Sequence, residues 1–332
     1  MITAANDDLL YRLEIGDAVA DGVKWLTSAW KPFFDFVKSL LLGIYNALVD
    51  VLLDPAFWVV AIIFGLIGWA ATNWQGGIAA AVITGAVTFF FDIPAVIIIM
   101  VALVLIALVA SGWGLAAITA VGVVLIYVVN QWDLAMATLA LVVEATVFAL
   151  IFAIPLGILA AKSRVASVII RPVLDFMQTM PAFVYLIPAV VIFYTGPTVG
   201  IIATVIFAMA PGVRFTELGI RQVDSEVVEA GHAFGSSPWR ILRQIELPLA
   251  LPTIMAGINQ VIMLSLSMVV IAGMVGAGGL GKDVVSALSR VNVSLGFEAG
   301  LAVVILAIYL DRVTAGLSSR SAVARAQKAR AE

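Results

Sequence analysis

From residue 56 onward, apolar runs almost free of charge follow one another: 56–72, 76–91, 94–110, 113–129, 134–161, 182–195, 198–213, 250–275 and 298–310. A helix needs about 20 apolar residues to cross a bilayer, with a workable range near 17–25. The runs therefore predict nine spans, with seven as the alternative because the first four are short. The stretch 167–181, which carries Ile169, Ile170, Val173, Leu174 and Phe176, reads as an extension of the sixth span ahead of Pro181. Pro155, Pro181, Pro188 and Pro211 fall within or beside spans, where a bundle tolerates the lost backbone bond as a kink or uses it as a hinge. Upstream, residues 33–53 (FFDFVKSLLLGIYNALVDVLL) are apolar but interrupted by Asp35, Lys38 and Asp50. That pattern predicts an amphipathic helix, lying at the membrane interface or packed on the protein's own surface. GIAAAVITGAV at 77–87 echoes GLAAITAVGVV at 114–124, which fits either a duplicated hairpin or Ala/Val/Gly coincidence.

Composition supports this picture. Of 332 residues, 63% are hydrophobic and 12% charged, where a soluble domain carries about 25% charged residues. The expected fold class is an all-α, polytopic membrane protein. A net charge of -3 gives no reason to expect nucleic acid as a partner. With no cysteine and a single histidine, His232, thiolate and His-cluster metal sites are excluded. No basic segment followed by an apolar core and a small-residue cleavage site opens the chain, so no cleaved signal peptide is expected.

Lys and Arg concentrate in short cytoplasmic loops. Here they gather at Lys162, Arg164 and Arg171, then at Arg214, Arg221, Arg240 and Arg243, and finally at Arg312, Arg320, Arg325, Lys328 and Arg330. Alternating crossings place all three groups in the cytoplasm. The acidic N-terminal segment, 195–197 and 276–297 then lie outside. The orientation is N-out and C-in.

Two segments carry candidate chemistry. GAGGLGKD, Gly276 to Asp283, has the glycine and lysine spacing of a phosphate loop. Such a loop needs Ser or Thr after its Lys to hold Mg²⁺, and it follows a strand. Here Asp283 takes that place and an apolar span precedes it, so the glycines read as a sharp turn at the outer mouth. In EAGHAFGSSPWRILRQIELPLALP, Glu229 to Pro252, a helix over 224–234 is broken at Gly235. Ser236, Ser237 and Pro238 restart a second helix, with Ser as cap and Pro in the first turn. Trp239, Ile241, Leu242 and Ile245 are its expected apolar side, and Arg240, Arg243 and Gln244 its polar side. Two short helices around a glycine corner, the second continuous with a span, make either a rigid cytoplasmic handle or a plain linker.

This segment resembles the EAA motif of ATP-binding-cassette importer permeases: Glu229, Ala230, Gly235, Ile245, Leu247 and Pro248 stand at the family spacing, with Gly231 in place of the second Ala. RPVLDFMQTMPAFVYLIP (171–188), the stretch 247–281 and VVILAIYLDRVT (303–314) are similar to the glycine betaine/proline betaine branch. The resemblance covers roughly 134–314. It implies a type I transmembrane domain over 131–314. Ahead of that come an extracytoplasmic segment with its amphipathic helix over 1–54 and accessory spans over 55–130, and a basic cytoplasmic tail follows over 315–332. It further implies a homodimer in the inner membrane, two ATPase subunits beneath, a solute-binding protein outside, and coupling through the EAA helix. ATP would be bound by the partner, so the chain itself would be neither an enzyme nor a cofactor carrier.

Glu144 is the one acid well inside a span, a place that marks either a hydrogen bond across helices or a solute path. Asp175, near the start of a span, reads as interfacially solvated. Tyr185 and Phe193, with Phe183 and Tyr194, either pack or touch a quaternary ammonium through cation–π contact. Two rival readings are a secondary transporter driven by an ion gradient, which would show a midplane ion site, and the same importer class with choline or carnitine as solute.

Overall fold

The computed structural model describes residues 15–90 and 93–319. The basic tail beyond Ser319 and the acidic residues before Ile15 fall outside them. Fifteen α-helices and no strand occur among the described residues. In chain order they are α1 Ile15–Ala29, α2 Lys31–Leu53, α3 Phe57–Ala71, α4 Trp74–Phe90 and α5 Ala95–Ser111. Next come α6 Trp113–Val128, α7 Trp132–Lys162, α8 Arg164–Thr179, α9 Leu186–Phe193 and α10 Pro197–Arg221. The last are α11 Ser225–Ala233, α12 Pro238–Ile241, α13 Leu247–Ala272, α14 Gly279–Arg290 and α15 Val293–Ser319. Each of the nine apolar runs coincides with one helix or, for 182–195, with one arm of a bent pair.

Five segments are long and apolar enough to cross a membrane: Lys31–Leu53, Trp132–Lys162, Pro197–Arg221, Pro238–Val275 and Val293–Ser318. α3 to α6 have 15–17 residues, about 23–26 Å at 1.5 Å per residue, short of a hydrocarbon core of about 30 Å. α3 and α4 form a tight hairpin, because Gly65 and Gly68 face Ala81 and Ala80 and leave the backbones free to close.

The centre is α7, α10 and α13. Gly200 lies beside Leu141, Gly212 beside Ala153 and Gly157 beside Thr216, a constant offset that makes α7 and α10 parallel. α13 runs the other way, with Gly257 against Phe215 and Ala272 against Gly200. Two parallel neighbours need a return between them, and α8 with α9 supplies it. The expected sixth span is not straight, however: Arg164–Thr179 and Ala182–Phe193 are bent by 108°. Met180 and Pro181 are extended at the break, as a proline and the residue before it favour. The Tyr185 hydroxyl donates to the Met177 carbonyl and ties the two arms together.

The two ends of the bundle differ. At one end Lys162, Arg171, Glu217, Arg221 and Glu246 meet in ion pairs. At the other, Gly196 N–H donates to Val275 O at 3.4 Å and Gln131 Nε2 donates to Asp283 Oδ2 at 3.3 Å. The glycine stretch turns here, as expected. A Cβ on Gly273 would lie 2.3 Å from the Gly281 backbone, so the chain can fold back on itself only without side chains. Thr138 Oγ1 on α7 accepts from Leu280 N–H at 2.8 Å and fixes the turn. The sequence reading placed only a loop over 276–297; the structure has helix α14 there, and its first residues belong to the glycine stretch itself.

Candidate functional site

At the charged end the chain leaves α10 and builds a two-helix projection before entering α13. Asp224 caps α11, its side chain accepting from Glu226 N–H at 2.9 Å. Glu229, in mid-helix, is therefore not the cap; it and Ala230 are exposed. α11 ends in a Schellman arrangement. Gly235 N–H donates to His232 O at 2.9 Å and Ser236 N–H to Gly231 O at 3.1 Å, with Gly235 at φ +75°. This is the left-handed position that favours glycine after a helix. Ser237 then caps α12, accepting from Arg240 N–H at 3.4 Å, with Pro238 in the first turn. The helix passes through a π-turn, Leu242–Glu246, straight into α13, with Leu247 and Pro248 in its first turn.

The corner is held by packing. A Cβ on Gly231 would come within 2.8 Å of Ile245 Cδ1 and 3.3 Å of Ile241 Cγ1, so only a small residue lets α11 close on α12. Leu242 is buried with Ile220 of α10 and with Ala250 and Ile254 of α13, and Leu247 packs against them. Ion pairs complete the seat. Lys162, at the end of α7, pairs with Glu246. Arg221 donates to the Ala160 carbonyl at 2.8 Å and pairs with Glu217 at 2.9 Å. Glu217 also accepts from Ser167 at 2.8 Å and from Arg171 at 2.9 Å. A force on the projection is thus shared by α7, α8, α10 and α13.

Its outer surface carries Glu226, Glu229, His232, Arg240, Arg243 and Gln244 exposed, and among them two large aromatic side chains. Phe234 is 90% exposed and Trp239 69% exposed, on either side of Gly235. The sequence reading put Trp239 with Ile241, Leu242 and Ile245 on one packed side; the structure buries Ile241 and Leu242 and turns Trp239 outward. Sequence reasoning also missed Glu217 and Glu246, because Ser167, Arg171 and Lys162, which hold them alongside Arg221, lie on other helices; an acid inside or at the foot of an apolar run was the available signal.

Of the three candidate path residues, Tyr185 and Phe193 belong to one buried apolar cluster, and Glu144 stands on α7 between that cluster's Val142 and Ala145. Glu144 is 2% exposed, and neither carboxylate oxygen has a hydrogen-bond partner among the described residues. Tyr45 of α2 lies within electrostatic reach of it. Tyr185 and Phe193 are buried in the adjoining apolar cluster, Phe193 edge-on to Phe34 of α2 at 5.8 Å.

A family profile described as "Binding-protein-dependent transport system inner membrane component" matches residues 153–322. The chain is 54% identical over 209 residues to the glycine betaine/carnitine transport permease protein GbuB of Listeria monocytogenes serotype 1/2a (strain 10403S), covering 63% of this chain and 74% of that one. It is 42% identical over 305 residues to the glycine betaine/proline betaine transport system permease protein ProW of Escherichia coli (strain K12), covering 91% and 75%. It is 40% identical over 308 residues to the glycine betaine transport system permease protein OpuAB of Bacillus subtilis (strain 168), covering 92% and 95%. Alignments of that extent take in much of the N-terminal region as well as the matched domain.

Proposed function

The chain belongs to the family of binding-protein-dependent transport system inner membrane components, and from that premise we propose that it imports a betaine-type osmoprotectant, glycine betaine or proline betaine. It is a multi-pass permease of the inner membrane, and ATP is hydrolysed by a separate subunit. The observation that carries the coupling is the projection at the charged end, with exposed Phe234 and Trp239 on a corner braced to four helices.

In this reading the charged end faces the cytoplasm, as the clustering of Lys and Arg favours. The N-terminus and the glycine turn face outward. The exposed aromatic residues of α1, of α2 and of the junction between them, Trp25, Trp30, Phe33 and Phe36, suit the outer membrane interface. Two copies of the chain form the pore, each seated on one of two ATPase subunits. A solute-binding protein delivers the cargo from outside. Closure of the ATPases on ATP moves the two projections together. Rigid helices carry that motion to the opposite end, a rocking between inward-open and outward-open states.

Each coupling residue has a part. Gly235 sets the corner, and Ala230 and Gly231 keep α11 slim. Ile245, Leu247 and Pro248 join the corner to α13, and Glu229 meets a basic site on the ATPase. Glu144, Tyr185 and Phe193 border the route that opens when α9 and α2 shift.

The test is uptake of glycine betaine into vesicles holding the permease, the ATPase and the binding protein. Uptake that needs ATP on the projection side and persists without ion gradients supports the reading. Uptake driven by a gradient without ATP contradicts it, and choline transported in preference to betaines contradicts the substrate class.

A further inference from the structure

α10 is enclosed along almost its whole length. Its exposed residues are Arg214, Leu218 and Arg221, spaced four and three apart, so they form one stripe on its last turns. On α8, Arg171 and Asp175 stand one turn apart and reach the same stripe: Arg171 pairs with Glu217, and Asp175 with Arg214. Arg171, Asp175, Arg214, Glu217, Leu218 and Arg221 together line a groove of about 350 Å³.

The depth of this groove matters. Arg214 lies seven residues before the end of α10, about 10 Å into the bundle at 1.5 Å per residue. Charges at such depth face a water-filled cavity or the bundle interior rather than hydrocarbon. α8 divides accordingly. Val165, Ile169, Val173 and Phe176 form an exposed apolar side that suits lipid, while Arg171 and Asp175 stand around the helix from them, on a side that also carries exposed Val168. The charges within the groove differ too. Glu217 is buried and already held by Ser167, Arg171 and Arg221. Asp175 and Arg214 hold each other and are 63% and 43% exposed.

We propose that this groove lines the solute's exit route, and that the Asp175–Arg214 pair is a subsite for a small zwitterion. The solute carboxylate is taken by Arg214 and its quaternary ammonium by Asp175. An ion pair and a zwitterion are complementary: each solute charge replaces the partner that the pair gives up, so no charge is left unmatched. A cation such as choline satisfies Asp175 and leaves Arg214 alone. The subsite therefore favours betaines over choline after the binding protein has released its cargo. This inference rests on the reading of the chain as a betaine permease.

The chain has no cysteine, so Leu218→Cys creates its only thiol and leaves the three ion pairs of the groove intact. The complete transporter in inverted vesicles is treated from the projection side with a membrane-impermeant methanethiosulfonate carrying a trimethylammonium group, and modification of this subunit is read by mass. Leu218→Cys is expected to react, and Ile169→Cys, on the apolar side of α8, to stay unmodified. Glycine betaine slows the reaction at Leu218→Cys. Choline needs up to about fivefold higher concentration for equal slowing, a ratio set by one half-exposed charge pair. Adding Asp175→Asn keeps the thiol reactive but removes the slowing by glycine betaine. A Leu218→Cys that does not react from this side, or whose rate glycine betaine leaves unchanged, overturns the subsite. ATP-dependent release of betaine loaded, with the binding protein, inside the same inverted vesicles separates the two readings. Release with the wrong labelling pattern removes only the subsite, whereas no release by the wild-type complex removes both.

Discussion

Replacing Gly235 tests the corner with a magnitude that can be worked out. Gly235 sits at φ +75°, and a Cβ there meets nothing within 4 Å. No clash is created, so the effect comes from the backbone and from what the new side chain presents outward. A side chain held in such a region costs about 1–3 kcal/mol, equivalent to roughly 5- to 150-fold in an equilibrium. Against it stand the two bonds that close the turn, Gly235 N–H to His232 O and Ser236 N–H to Gly231 O, each contributing about 1 kcal/mol net. Asparagine tolerates the left-handed region, aspartate less often, and a β-branched residue hardly at all. Gly235→Asn should therefore keep most of the coupling. Gly235→Asp should leave the permease inserted and dimeric but weaken ATPase association, because a carboxylate now stands between Phe234 and Trp239. Gly235→Val should lose the turn and the coupling together. The assay is pull-down of the ATPase, with hydrolysis stimulated by solute-loaded binding protein in reconstituted vesicles. A Gly235→Val protein that couples like wild type would refute the role given to the corner.

Glu229→Ala should weaken coupling in the same direction as Gly235→Asp but more mildly, measured by the same stimulated hydrolysis. Gly231→Ala should be tolerated, since the Ile245 methyl at 2.8 Å is the free end of a side chain and Ile241 Cγ1 at 3.3 Å needs to give by only a few tenths of an ångström; a loss of ATPase binding as large as that of Gly235→Val counts against the packing described. Glu144→Gln should preserve uptake within about threefold if the residue only packs, because the amide keeps the shape; loss of uptake with normal assembly and normal ATPase stimulation places Glu144 on the solute path. Lys282→Ala should leave ATP binding by the purified complex unchanged, and loss of ATP binding from an intact complex would overturn the reading of the glycine stretch as a turn.

Hydropathy made the helices legible, because every residue of a span must satisfy lipid or a packed neighbour. It did not give their ends: α10 runs on through Arg214 to Arg221, where an apolar count stops at 213. Charged residues extend a helix once a partner neutralises them: Arg214 is paired with Asp175 of α8, and Arg221 with the Ala160 carbonyl of α7 as well as with Glu217 one turn back on α10 itself. For the same reason Asp175 reads from sequence as merely solvated. The 108° bend was signalled only by Pro181, and a proline alone does not distinguish a kink from a corner. α14 escaped notice because its polar residues Lys282, Asp283 and Arg290 mask a helical pattern that opens on glycines. The corner at Gly235 was legible because local chemistry fixes it: a left-handed glycine, a serine cap and a first-turn proline need no distant partner. Trp239 misled because an exposed apolar side chain follows the same pattern along the chain as one in a core.

The central claim is that the corner at Gly235 is the seat of a separate ATPase. The most direct measurement uses the cysteine-free chain carrying Phe234→Cys, joined to its ATPase by a short thiol-to-amine cross-linker in vesicles. A one-to-one adduct is predicted, with a yield that changes between nucleotide-free and ATP-bound complexes. Val165→Cys, on the exposed apolar side of α8, should give none. If Phe234→Cys yields no adduct in an assembled, transporting complex, ATPase coupling does not pass through this corner.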